Sequence, residues 1–289
     1  MIYLLISIGI SSCLFVIFKL FNIYKINTLQ AIVVNYLVAF TCGIHTSGLT
    51  LNFSEVTSQP WFISALFLGI LFVTIFNVMA VTSQRNGLSV ASVASKMSVA
   101  IPIIFGFVLY SEVIGYVKIL GIILALLAVY LSTTSNINAC TVKGKGFVFP
   151  FLLFLGSGII DTVLKYTEAK FVSAATIPAF SITTFLFAFI FGCLFLSVQI
   201  FQGRFQFQLK SILGGILLGV PNYYSIVYLL KALQTEGLES AVAFTINNVG
   251  IVVLTTIFGL LLFKEKLTTK NWMGMVLAVI SILLVGSFF

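Results

Sequence analysis

Ten apolar runs, each close to twenty residues, constrain this chain more than any other feature. They lie at roughly 1–18, 29–46, 61–82, 88–110, 113–132, 146–164, 177–200, 211–231, 239–263 and 270–288. A helix rises about 1.5 Å per residue, so about twenty apolar residues cross a hydrocarbon core about 30 Å thick. The expected fold is all-α integral membrane, with ten transmembrane helices. Composition agrees. Of 289 residues, 60% are hydrophobic and only 8% charged, and the mean hydropathy is +1.20. A soluble domain of this length needs far more charged surface to cover its core.

The connectors are short. The longest, about 47–60 and 133–145, hold turn-forming Ser, Thr and Asn, and none has the length to fold as a domain. Chemistry or recognition therefore has to occur within the helices. The chain begins Met1-Ile2-Tyr3-Leu4 without a basic leader, so the first run reads as a retained span. The net charge of +8 is spread singly or in short groups between apolar runs, which excludes a nucleic-acid face. Cys13, Cys42, Cys140 and Cys193 form no CxxC pair, and His45 is the single histidine. No metal site or cofactor is expected. No P-loop is present, so this chain does not itself drive pumping with ATP.

The two halves of the chain echo one another. Gln84, Gly87 and Leu88 match Gln234, Gly237 and Leu238 at an offset of 150; Gly106, Glu112 and Gly121 match Gly259, Glu265 and Gly274 at 153; Ser11 and Lys19 match Ser157 and Lys165 at 146. The order and the near-constant spacing point to an internal duplication, residues 1–135 and 146–289 joined by a connector at 136–145. Five helices per copy is an odd number, so the second copy enters the membrane from the opposite side. The expectation is two inverted five-helix repeats, with a binding site near the midplane and alternating access by rocking of one repeat against the other.

Tyr110-Ser111-Glu112 followed by Gly121, and Lys264-Glu265-Lys266 followed by Gly274 and Gly286, resemble the repeated ending of EamA-type domains. In that ending a glutamate lies between two helices and a glycine-marked helix closes the repeat. Gln84 to Leu88 and Gln234 to Leu238 resemble the segment that precedes it. The resemblance covers essentially the whole chain as two domains. It implies the drug/metabolite transporter superfamily, a ten-helix fold, and export or uptake of small organic solutes. It assigns no role to Lys96 and is poor for the substrate.

Charge sets the expected orientation. Lys19, Lys25, Arg85, Lys143, Lys145, Arg204, Lys210, Lys264, Lys266 and Lys270 fall in odd-numbered connectors, and Lys118, Lys165, Lys170 and Lys231 in even ones. The positive-inside rule then puts odd connectors in the cytoplasm and both termini outside. The plan fits a bacterial plasma membrane, with the chain a monomer or a homodimer.

Lys96 lies near mid-depth of the fourth run. A lysine there costs about 2.5–3.5 kcal/mol on insertion scales and faces a cavity or a partner. It reads either as an anchor for a substrate carboxylate or phosphate or as an internally paired or snorkelling residue. Asn247 and Asn248 occupy the corresponding zone of the ninth run, with two donors and two acceptor sites each; interhelical bonding is the alternative. Ser92 and Phe244 lie one turn before them on the same faces. Asn77, Asn222 and Tyr223, with Tyr224 and Asn35-Tyr36 beside them, form a second polar set suited to substrate or to packing. Asp161, four residues before Lys165, reads as a proton-coupling carboxylate or as half of an in-helix ion pair. Glu112 and Glu265 are expected to cap the helices that follow them. Pro102 and Pro221 should kink their helices and serve as hinges or static bends. Gly215 and Gly219 have the spacing of close helix packing.

The leading expectation is a secondary transporter of a small polar or amphipathic metabolite, an amino acid or carboxylate among the candidates. A lipid-carrier flippase and a non-transporting receptor stand as alternatives. Enzyme chemistry is disfavoured, because no acid pair, metal triad or Ser/His pair lies within the spans.

Overall fold

The computed structural model describes residues 2–48, 53–102, 104–105, 116–134, 147–173, 175–203, 205–233 and 240–286. Ten main helices account for most of them: α1 (Ile2–Ile23), α2 (Thr28–Ser47), α3 (Phe62–Arg85), α4 (Leu88–Met97), α5 (Tyr116–Thr134), α6 (Val148–Phe171), α7 (Ile177–Phe201), α8 (Leu209–Leu233), α9 (Ser240–Phe263) and α10 (Thr269–Gly286). A single turn of helix at Phe53–Thr57 was not foreseen from the sequence. No strand occurs among the described residues. Helices α1, α2, α3, α6, α7, α8 and α9 are long and apolar enough to cross a membrane, and the stretches at 88–102, 119–132 and 269–284 are shorter apolar helices. Among the described residues, each predicted run thus contains helix.

The helices fall into two compact units, and neither is a half of the sequence. The first takes Met1–Lys19, Val78–Asp161 and Tyr224–Phe289; the second takes Leu20–Asn77 and Thr162–Tyr223. Each unit keeps together helices that the expected duplication would match, α4 and α5 with α9 and α10 in the first, α2 with α7 in the second.

In the first unit α5 and α10 pack antiparallel. Asn271 Nδ2, at the start of α10, donates to the Ser132 carbonyl near the end of α5 (2.5 Å), while Ser281 Oγ donates to the Gly121 carbonyl near its start (2.7 Å). A Cβ on Gly274 would lie 2.9 Å from the Ala128 carbonyl oxygen, so only glycine lets these backbones approach. The core between α4, α5, α6, α9 and α10 is built from small and flexible residues: Ala100, Ala125, Ala128 and Ala278 with Met97, Met275 and Phe154. Helix α4 also runs antiparallel to α9, since the late α9 residue Gly259 lies against the early α4 residue Ser89.

The second unit has an aromatic core. The Tyr36 ring lies among Phe72, Phe76 and Phe185, with centroids 5.5–6.4 Å apart. Helices α2 and α7 are antiparallel: Gly192, late in α7, abuts Val33, early in α2, and Gly43, late in α2, abuts Ile182, early in α7. Gly215 and Gly219 close α8 onto α2, where a Cβ would sit 2.7 Å and 2.8 Å from the Ala31 and Asn35 carbonyl oxygens. The spacing read from the sequence therefore serves internal packing.

Glu265 does not cap the helix that follows it. Helix α10 is capped by Thr268 and Asn271, whose side chains bond each other's backbone N–H groups. Glu265 turns back after Lys264, which adopts φ +50, and its Oε1 accepts the Leu88 N–H at the start of α4 (2.9 Å). Lys19 Nζ lies 3.4 Å from the same oxygen and reaches the Gln84 carbonyl (3.5 Å). Gly87, at φ +104, and Gly259 leave room for the carboxylate, since a Cβ on either would come within 2.9 Å of it. The anion satisfies an otherwise orphaned N–H at a helix start, where the dipole favours it. Glu112 lies outside the described residues.

Candidate functional site

Helix α4 enters the core from a glycine start and is lined by Ser89, Ser92 and Ser95, all buried. Its regular turns stop at Met97. The Ser98 carbonyl, which a non-proline residue at 102 would engage, instead accepts the Ile101 N–H (2.9 Å), and helix resumes at Ala100. Pro102 thus interrupts its helix one turn upstream, as a missing donor should. Pro221, by contrast, sits inside an unbroken α8.

At the interruption α4 meets α6. Ser95 and Ser157 hydroxyls lie 3.5 Å apart, Ser98 Oγ lies 3.2 Å from Asp161 Oδ2, and a Cβ on Gly158 would meet the Ile101 Cβ at 2.7 Å. Ser157 and Asp161 are one turn apart on α6, and Ser95 and Ser98 one turn apart on α4, so the two polar faces register. Lys96 projects beside them, half-buried. Asp161 is bonded to Ser98, two residues along the chain from Lys96. Among the described residues, however, no carboxylate lies within 4.0 Å of Lys96, and the ion pair at that distance is Lys19–Glu265. Asp161 is itself exposed. Its pairing is with α4 rather than with Lys165 on its own helix, which is exposed.

Ser98 is bifunctional here. Its Oγ lies 2.6 Å from the Ser95 carbonyl as well as 3.2 Å from Asp161. A hydroxyl has one proton and two lone pairs. It donates to an ionised carboxylate, or it turns its proton to the Ser95 carbonyl and accepts from a protonated one.

The matching contact, α9 on α1, is neutral. Ser7 Oγ approaches Asn247 Oδ1 (3.3 Å) and the Ser225 carbonyl (3.1 Å), and Gly250 lies under Ile8. Asn247 is buried and engaged with Ser7, while Asn248 is half-buried. The side chain of Phe244 lies outside the described residues. Ser92 spends its hydroxyl on the Ser89 carbonyl (3.0 Å).

The other polar set belongs to the second unit. Asn222 Nδ2 donates to Asn35 Oδ1 (3.2 Å), joining α8 to α2. The Tyr223 hydroxyl is hydrogen-bonded to Thr46. Asn77 Nδ2 donates to the Val73 carbonyl of its own helix (2.7 Å). Tyr36 buries its hydroxyl with no partner among the described residues. Sequence reasoning thus picked out the charges and Ser92 and missed Ser98 and Ser157 as the groups that join the two helices. Ser157 and Asp161 at i, i+4, and Ser95 and Ser98 flanking Lys96, were the available signal.

Residues 145–287 match the EamA-like transporter family. A protein of Haemophilus influenzae, described as uncharacterized, is 30% identical over 261 residues, 88% of this chain and 86% of that one. A crystal structure 15% identical in sequence superposes with a TM-score of 0.63, covering 98% of this chain and 94% of the other. At that identity the likeness is one of fold alone.

Proposed function

This chain belongs to the EamA-like transporter family, and we propose that it is a secondary carrier moving a small polar metabolite across a bilayer by alternating access. A family of membrane transporters and a set of membrane-length apolar helices make a multi-pass membrane protein. The finer reading is ten spans arranged as two inverted repeats, residues 1–135 and 146–289. It is supported by the pairs α2–α7, α4–α9 and α5–α10. Each pair joins helices five apart in the order, and each is antiparallel, as inversion requires. The Lys19, Leu88 and Glu265 cluster brings the first, third and ninth connectors to one end, in keeping with odd connectors in the cytoplasm of a plasma membrane and both termini outside.

The observation that carries the function is Lys96. It sits at the interruption of α4, two residues from the Ser98 that bonds Asp161, and makes no contact ion pair among the described residues. A lysine that serves only packing closes onto its counterion, because an unpaired charge in this medium is expensive. One held open receives an anionic group. In this reading Lys96 binds a carboxylate or phosphate of the solute, with Asp161 beside it.

Flux of small carboxylates and amino acids into proteoliposomes, wild type beside Lys96→Ala, tests this. Loss of flux with an unchanged elution profile in detergent places Lys96 on the path. Unchanged flux overturns the assignment.

A further inference from the structure

We propose that the Lys96 and Asp161 side chains make the cycle proton-coupled and electroneutral, so that a monoanionic solute crosses together with one proton carried on Asp161. This rests on the reading of Lys96 as the anchor of the solute.

Charge balance leads there. With no solute bound, Lys96 and Asp161 neutralise one another. A monoanion docking on Lys96 leaves the site with one negative charge in excess, in a medium that penalises net charge. A proton on an Asp161 carboxylate oxygen restores neutrality. The proton is taken from water on the side where the anion enters and is returned on the side where it leaves. Because linkage is reciprocal, protonated Asp161 frees Lys96 for the anion to the extent that the anion favours the proton.

Geometry supplies the second support. Ser98 Oγ lies within bonding distance of both Asp161 Oδ2 (3.2 Å) and the Ser95 carbonyl (2.6 Å). It therefore satisfies Asp161 in both protonation states, by donating to the carboxylate or accepting from the acid. A carboxylate that is only a structural counterion has no need of a partner that works both ways. Nothing else charged competes for it. Among the described residues, α4 contributes Lys96; Lys165 follows one turn later on α6 itself and is exposed; Arg85 lies over the Phe149 ring, at the far end of α6 (5.1 Å). The matching α9–α1 contact holds Asn247 and Ser7 and takes no proton in this pH range, which sets the ratio at one.

The test uses the full chain in proteoliposomes with radiolabelled N-acetyl amino acids, which carry one carboxylate and no ammonium, beside the parent amino acids. An acidic exterior is expected to speed N-acetyl amino acid entry at least fivefold. A clamped membrane potential is expected to leave it unchanged. Asp161→Asn should lose the acceleration and bind the probe without taking up a proton. As a measurement that needs no variant, adding the probe to wild-type protein in weakly buffered detergent should take up about one proton per chain. Flux indifferent to the pH gradient, driven by potential, or still accelerated in Asp161→Asn overturns the inference, as does binding without proton uptake. Carriage of amino acids alone, regardless of pH, also overturns it, since a zwitterion supplies both charges itself. Absence of flux with every probe removes the carrier reading and this inference with it.

Discussion

The α4–α6 contact and the α9–α1 contact use the same kinds of residue, with the glycine on α6 in the first and on α9 in the second. In each, a glycine lies under an isoleucine, Gly158 under Ile101 and Gly250 under Ile8, and a serine hydroxyl reaches across. The joint at α9–α1 needs only Ser7 and Asn247 to close it. The joint at α4–α6 carries in addition a lysine, an aspartate and a broken helix turn. Packing explains what the two share and leaves the additions without a structural purpose, since the neutral version already holds two helices together. On the proposed reading the charges are the functional surplus.

The largest effect should come from unbalancing the charged joint. Lys96→Ala leaves Asp161 without its countercharge. Discounted for the accessible surface of Asp161, this costs roughly 1–3 kcal/mol and reduces flux at least tenfold. The double variant K96Q/D161N should recover the melting temperature in detergent and leave flux low. Recovery of both would assign the pair to stability. Next come the shared glycines. Gly158→Val and Gly250→Val should each cost about 1–3 kcal/mol by overpacking, nearly alike, and a marked inequality would break the equivalence of the two joints. Asn247→Ala removes the Ser7 bond and should cost about 0.6–1.7 kcal/mol, the range for such bonds between membrane helices. Its flux should stay far closer to wild type than that of Lys96→Ala. The smallest effect belongs to Glu265→Gln, which keeps an acceptor for Leu88 and loses the charge on Lys19. Less than about 1 kcal/mol is expected, whereas Glu265→Ala, which also uncaps α4, should lose about 1 kcal/mol more.

Much of the helix plan was legible because run length in an apolar medium is a one-dimensional property. Every predicted run contains a helix, with ends shifted by a few residues, as at α1 and α6. Lys96 and Asp161 were visible as charges at unfavourable depth, but their partnership was not. It depends on which turn of α4 faces which turn of α6, and an interruption at Ser98 sets that register. Asn247 read both as a ligand donor and as an interhelical partner, because an amide offers the same groups to a solute and to a serine on the next helix; in the structure Ser7 meets it. Glu265 misled for a related reason. A glutamate just before a helix is normally a local cap, yet here Thr268 and Asn271 fill that place and the carboxylate closes a helix remote in sequence. Such long-range choices leave no local trace.

That closure has a consequence for how the protein is made. The acceptor for the Leu88 N–H lies 177 residues further along the chain. At ribosomal speeds of about 5–20 residues per second, the start of α4 has to wait roughly 9–35 s for it. Through that interval the newly inserted helix bearing Lys96 resides in the bilayer without its lid, and α5 without α10. A substitution at Glu265 that the mature protein tolerates would be felt first as lowered yield during synthesis.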